Sequence, residues 1–368
     1  MKKLLMIRFS ALGDVAMLAP VVKEVSMSMP DVEVTVLSQP FCAPLFEGLG
    51  SNVQFLGADI RGEYHGIKGL GLLFRRLDAM GFDYVADMHG VLRTHYLSMR
   101  FRLAGYRVAQ IDKERAARRA LTAPEGRKKM VQLRTSFEKY RDVLRRLGME
   151  GMERFEAYAS VNSGGAVMTF DSVDGEVEQL LSEPWRGKSV SGDRCLRIGI
   201  APFAAHAGKV YPLDKMERVI EQLLSERSDV GIYLFGGGGE EREKMLSWQS
   251  RWQGRVVAAS PRLCSMRREL QLMSRLTVML SMDSGNMHLA SLVGTRVVSV
   301  WGATHPFAGF LGWGQREEDC VQLPLPCRPC SVFGKAPCRR GDFACMRGIG
   351  EKEVVGCLET TKKSFTVR

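Results

Sequence analysis

The chain has 368 residues, 45% hydrophobic and 25% charged, a balance that fits two folded domains and excludes a disordered chain. No run approaches the roughly 18 consecutive apolar residues of a membrane span. Net charge is +11, from 52 Lys and Arg against 41 Asp and Glu, and no RNA- or DNA-binding signature accompanies it, which sets nucleic acid aside as a partner.

The N-terminal run after Lys2 and Lys3 is interrupted by Arg8 and Asp14, so Lys3–Phe9 reads as a first strand of a cytosolic protein and not as a signal peptide. A helical pattern follows from about Asp14 to Ser28, then strands at Glu33–Ser38 and Phe82–Met88 and a helix at Arg93–Leu103. From Arg93 to Arg146 the chain is crowded with cations, notably Arg115, Arg118, Arg119, Arg127, Lys128 and Lys129. They suit phosphates or anionic lipid, the alternative being a solvated helix face.

Between Val161 and Arg194 the pattern loosens into Ser, Gly and acidic residues, which predicts a linker with a short helix at Val177–Leu181. The rhythm resumes with strands at Leu196–Ala201, Val230–Phe235, Leu276–Met282 and Arg296–Trp301, helices at Asp214–Glu226 and Asn286–Val293, and a last helix at Glu351–Lys363. Strands alternating with helices predict α/β halves with parallel sheets, which bind ligands at the carboxyl ends of their strands. The expected division is a first domain over 1–160, a linker over 161–194, a second domain over 195–350 and a tail over 351–368.

Three strand-to-helix turns carry chemistry. Arg8-Phe9-Ser10-Ala11-Leu12-Gly13-Asp14 leaves the first strand through small residues, and Asp14 is either a helix cap or a carboxylate facing the ligand. Phe235–Glu241 is glycine-rich, but Glu241 occupies the third glycine position of a dinucleotide fingerprint and no P-loop occurs. Glu240 there either binds a ribose diol or caps a helix. Asp283-Ser284-Gly285-Asn286-Met287-His288 ends a strand and opens a helix whose positive end favours a phosphate.

Taken in this order, with Asp87–Thr94, Gly208–Pro212 and Trp301–Pro306, these segments resemble glycosyltransferase family 9, the ADP-heptose:lipopolysaccharide heptosyltransferases, over nearly the whole chain. The resemblance implies a GT-B architecture of two Rossmann-like domains, and transfer from an ADP-sugar with inversion and without a required metal. It implies an anionic lipopolysaccharide-core glycolipid as acceptor, met at the cytoplasmic face of the inner membrane. Asp14 then matches the general base; Gly13, His89 and Arg93 match the acceptor side. Lys209, Glu240, Asp283, Ser284, Gly285 and His288 match the donor side. The loop Ala204-Ala205-His206-Ala207 departs from the family, which often carries hydroxyl residues there, and Asn286 replaces what is often Pro or Leu. A different nucleotide sugar, or a non-catalytic nucleotide-sugar-binding protein, are the competing readings.

Of nine cysteines, Cys327, Cys330, Cys338 and Cys345 fall in one basic loop. Their spacing is compatible with a structural tetrahedral zinc site, with reduced thiols or a disulfide as alternatives.

Overall fold

The computed structural model describes residues 1–149, 165–186 and 195–359. Residues 161–164 and 187–194 of the expected linker, and the tail beyond Glu359, lie outside these residues; within the described part of the linker the short helix expected at Val177–Leu181 is found as Gly175–Ser182. The chain divides into two compact units. The first is Met1–Arg115, Arg134–Met168 and Gly312–Gly314; the second is Ala116–Leu133, Thr169–Leu311 and Gln315–Arg368.

The first unit is built on a parallel sheet of β1 (Lys2–Ile7), β2 (Val32–Ser38), β3 (Val53–Gly57), β4 (Tyr84–Asp87) and β5 (Arg107–Gln110), in the order β3-β2-β1-β4-β5. Leu4 to Ile7 are fully buried, as expected of a central strand covered on both faces. Leu4 to Ile7 pair with Val34 to Leu37 on one side and with Tyr84 to Asp87 on the other. Chain order reverses at β1, so a crevice opens at its carboxyl end beside β4. The helix expected over Asp14–Ser28 is two helices, Leu12–Ala16 and Ala19–Ser28. Pro20 explains the break: it has no N–H to give the Ala16 carbonyl and is tolerated only in a first turn.

The second unit repeats the plan with β6 (Leu196–Ala201), β7 (Val230–Leu234), β8 (Val256–Ala258), β9 (Val278–Met282), β10 (Val297–Val300) and β11 (Cys320–Val321). All pairs are parallel, in the order β11-β10-β9-β6-β7-β8, and the reversal falls between β6 and β9. Its core, with Ile198, Ile232, Trp248, Leu280 and Val298 among its members, is separate from that of Leu5, Ile7, Phe74, Leu97 and Phe101 in the first unit.

The segment Ala116–Leu133, expected in the first domain, packs with the second unit. Leu133 N–H donates to the Phe307 carbonyl at 2.9 Å, Arg339 donates to the Thr122 and Ala123 carbonyls, and Lys128 donates to Pro326 O. Arg118 lies 5.3 and 5.5 Å from the Phe310 and Phe333 rings. The cations grouped together in the sequence are therefore divided between the two units. Arg134, in the first unit, is held by Glu114, Asp142 and Asp112.

Candidate functional site

In the first unit the loops after β1 and β4 meet at the reversal point. Arg8, at the buried end of an apolar strand, must find a partner for its charge. Its guanidinium sits 2.6 Å from the Asp14 carboxylate, donates to the Met88 carbonyl at 2.5 Å, and lies 5.8 Å from the Tyr140 ring. Burial alone would lower the Arg8 pKa; Asp14 first, then Tyr140 and Asp87, hold it above the usual value.

Asp14 stands third in its helix, after Ala11 as the cap, and its Oδ2 accepts from the Ala11 N–H at 3.3 Å. Its side chain keeps 23% of its surface exposed, enough for a reacting group to reach. Gly13 lies within the five-residue Leu12–Ala16 helix, with no positive φ. Such a short helix provides no anion site of its own.

The β4 loop is shaped by Asp87, which is fully buried. Its Oδ1 accepts from the N–H groups of His89 and Gly90 at 2.9 and 2.8 Å, and its Oδ2 from Gln110 at 3.2 Å. Gly90 has φ +59°, a turn conformation that glycine adopts without strain. His89 is thereby fixed with its Nε2 3.4 Å from Ser10 Oγ. Burial, then Arg8 and Lys113, push its pKa down to about 3, with Arg93 adding a smaller push and Asp14 opposing. His89 is therefore a neutral hydrogen-bonding group, and Asp14 and Arg93 share its electrostatic neighbourhood.

In the second unit the loops after β6 and β9 meet in the same way. Lys209 Nζ lies 2.8 Å from Asp283 Oδ2, with both side chains largely buried. The Lys209 turn is seated by close backbone contact. Ala303 N–H donates to Gly208 O at 2.8 Å, and a Cβ at Gly208 would come within 2.8 Å of Ala303 Cβ. Ser284 precedes the Gly285–Leu292 helix and makes no capping bond from its side chain; its Oγ is 3.3 Å from Ser281 Oγ. Gly285 opens that helix, and His288 is buried in its first turn.

After β7, Gly236 approaches so closely that a Cβ would meet the Phe203 ring at 2.8 Å. Gly239 (φ +60°) caps the Glu240–Arg251 helix. The two neighbouring carboxylates differ in their surroundings. Glu241 accepts from the Gly237 N–H at 2.6 Å and shapes the loop, whereas Glu240 is exposed at the helix start.

Cys327, Cys330, Cys338 and Cys345 line one small cavity with Arg328, Arg339 and Arg340, and none is in a disulfide. Burial raises the Cys330 thiol and pushes Cys345 up to about 11. Among the described residues, no three His, Cys, Asp or Glu side chains are arranged to hold a metal ion.

Sequence reasoning missed Arg8 and Asp87 as parts of the site. Each opens a segment that carries the family resemblance, Arg8–Asp14 and Asp87–Thr94, and a lone arginine closing the apolar run Leu4–Ile7 was a further signal for the first.

The glycosyltransferase family 9 (heptosyltransferase) model matches residues 71–337. No curated protein matches the chain. Among solved structures, a family 9 glycosyltransferase from Veillonella parvula DSM 2008 superposes with a TM-score of 0.71 at 18% identity, covering 98% of this chain and 96% of that one. The E. coli ADP-heptose lipopolysaccharide heptosyltransferase II gives 0.60 at 17% identity over 97% of each. The E. coli heptosyltransferase WaaC, solved with ADP, gives 0.57 at 16% identity over 85% of this chain and 92% of that one. At these identities the likeness is one of fold, the GT-B arrangement expected from the motifs.

Proposed function

The chain belongs to glycosyltransferase family 9 (heptosyltransferase), and from that premise we propose that it transfers heptose from ADP-heptose to an anionic lipopolysaccharide inner-core glycolipid, with inversion, at the cytoplasmic face of the inner membrane. The observation that carries this reading is the pair of charge arrangements at the reversal points of the two sheets. A part-exposed carboxylate, Asp14, marks the first, and a lysine beside a helix N-terminus marks the second.

In this reading Asp14 accepts the proton of the acceptor hydroxyl, whose oxygen bonds to the anomeric carbon. The bond from that carbon to the diphosphate breaks on the opposite face, and ADP leaves with the electron pair. Arg8 orients Asp14. Neutral His89, with Gly13 and Arg93 alongside, binds acceptor hydroxyls and phosphate. Lys209 has three donors, of which one reaches Asp283, so the others are available to the diphosphate as its charge grows. Ser284, Gly285 and the helix they open add a second positive end, His288 lies in that helix's first turn, and exposed Glu240 takes the ribose.

The loop Ala204–Ala207 favours a second reading, in which the family chemistry is kept but the nucleotide sugar differs, because this loop offers no side-chain hydroxyl to a phosphate. Thermal-shift screening against ADP-, UDP- and GDP-sugars, followed by turnover with the stabilising donor, decides the matter. Stabilisation by ADP-heptose with transfer to a Kdo–lipid A acceptor is expected. Stabilisation by UDP- or GDP-sugars alone would transfer the assignment to the second reading.

A further inference from the structure

Two adjoining helices of the first unit, Gly66–Asp78 and Leu92–Leu103, turn an apolar and basic face outward. They pack side by side: the Arg100 guanidinium lies 4.6 Å from the Phe74 ring centre, and a Cβ on Gly71 would sit 3.6 Å from Tyr96 Oη. Their inner faces fill the core with Leu70, Leu73, Phe74, Leu77, Leu97 and Phe101.

Their outer faces hold large apolar side chains that the core does not cover. Leu92 is 89% exposed, Leu103 79%, Ile67 73%, and Leu72 and Met99 48% each. Leu92, Met99 and Leu103 recur at i, i+7 and i+11, so they form one stripe along their helix. Lys68, Arg75 and Arg102 are exposed among them. A single exposed leucine needs no explanation; five large apolar side chains on two adjoining helices among cations do.

The charge is one-sided. The second helix carries no carboxylate, and the first carries only Asp78, which accepts a hydrogen bond from Tyr106 Oη at 2.8 Å. Apolar side chains interleaved with cations and without acidic residues match an anionic bilayer surface, where apolar groups enter the headgroup boundary and cations meet lipid phosphate.

We propose that this face docks the protein on an anionic membrane surface, with Leu92, Met99 and Leu103 inserted and Lys68, Arg75 and Arg102 against the headgroups. The cations of Ala116–Leu133 belong to the other unit, where Arg118 and Lys128 are already engaged with Phe310, Phe333 and Pro326. Leu92 directly precedes Arg93 at the end of the His89 loop, so docking would hold that loop at the lipid surface. The purpose of the docking rests on the proposed glycolipid acceptor; the surface itself does not.

The test is co-sedimentation of the full chain with vesicles of phosphatidylglycerol and phosphatidylethanolamine, against phosphatidylcholine vesicles. Wild type is expected to sediment with the anionic vesicles only, and less so as salt is raised. The triple variant Leu92→Ser, Met99→Ser, Leu103→Ser should lower partitioning at least about tenfold. Lys68→Gln, Arg75→Gln, Arg102→Gln together should lower it on the order of a hundredfold at low salt. Neither set should alter ADP affinity. In an otherwise wild-type chain, Leu103→Trp should show a blue-shifted emission on vesicle addition, which a misfolded variant would not reproduce.

Failure of wild type to bind anionic vesicles, or equal binding by both triple variants, overturns the proposal. So does a wild-type dimer in sedimentation velocity that the serine variant abolishes without loss of vesicle binding, since the face would then belong to a second copy. Donor turnover is measured separately, so docking without heptosyl transfer would remove the acceptor reading and leave the surface standing, and the converse result would do the reverse.

Discussion

The Arg8–Asp14 pair is the smallest unit in which structure and chemistry cannot be separated. A carboxylate meant only to cap a helix needs no guanidinium, and here one reaches it at 2.6 Å from a nearly buried position. Asp14→Asn is therefore expected to do two things. Turnover should fall by about 10²–10⁴-fold through loss of the base. Stability should fall by about 1–3 kcal/mol, because Arg8 loses its counter-charge. Steady-state kinetics with a denaturant midpoint checks both, and wild-type kcat in the variant would reduce Asp14 to a structural role. His89 supports a pH prediction. Held near a pKa of about 3 in the fold, against the ordinary value of about 6.5, it binds fewer protons folded than unfolded. Its contribution to stability is thus present above pH 6.5 and is lost as pH falls toward 3. His89→Gln should accordingly shrink the drop in urea midpoint between pH 7 and pH 4, and an unchanged drop would mean that His89 titrates freely.

At the scale of single elements, local chemistry decided boundaries that periodicity did not. The sequence reads Asp14–Ser28 as one helix because its apolar residues recur at helical spacing, yet Pro20 divides it, and the division gives Asp14 a short helix of its own. The Ser136–Arg146 helix carried a readable start. Thr135 caps Glu138 N–H at 3.2 Å, and Glu138 accepts from Thr135 N–H at 2.6 Å, a reciprocal T-x-x-E box. Strands β3, β5, β8 and β11 escaped notice because they are the edge strands of the two sheets and are short, five residues at most. In the glycine loop before the Glu240–Arg251 helix, Glu241 is engaged with the backbone whereas Glu240 is exposed and is proposed to take the ribose. Glu241→Ala should cost about 1 kcal/mol through loss of its bond to Gly237 N–H. Glu240→Gln should leave stability unchanged while weakening donor affinity. Thermal unfolding and calorimetric titration of the two variants check this, and identical behaviour in both assays would remove Glu240 from the ribose role.

For the whole molecule, both sheets begin with the same 3-2-1-4-5 order, and each encloses its own core. Each therefore has its own reversal point, and the proposed donor and acceptor groups divide between them. ADP bound at about a hundred times its Kd would stabilise the native state by about 2.7 kcal/mol. Hydrogen exchange should localise that gain to the loops after β6, β7 and β9, which carry Lys209, Gly236–Glu240 and Ser284–His288. Protection confined instead to the loops carrying Asp14 and His89 would move the donor to the first unit. No described helix is long and apolar enough to cross a membrane; the Gly66–Asp78 and Leu92–Leu103 face is the surface proposed for contact with lipid.

The central strands and their class were legible in the chain because buried parallel strands are written as near-continuous apolar runs, Leu4–Ile7 and Val278–Leu280 among them. So were the turns after them, since small residues and acids at a strand end have few other uses. The chain could not show by itself that Arg8 closes on Asp14, that Asp283 meets Lys209 from 74 positions away, or that Ala116–Leu133 packs with the second unit. Those pairings depend on strand order and on which loops the reversals bring together, and a one-dimensional pattern carries periodicity but not adjacency. Exposure was hidden for the same reason: Leu92 and Leu97 are the same residue on one helix, and only the packed neighbour decides which meets solvent.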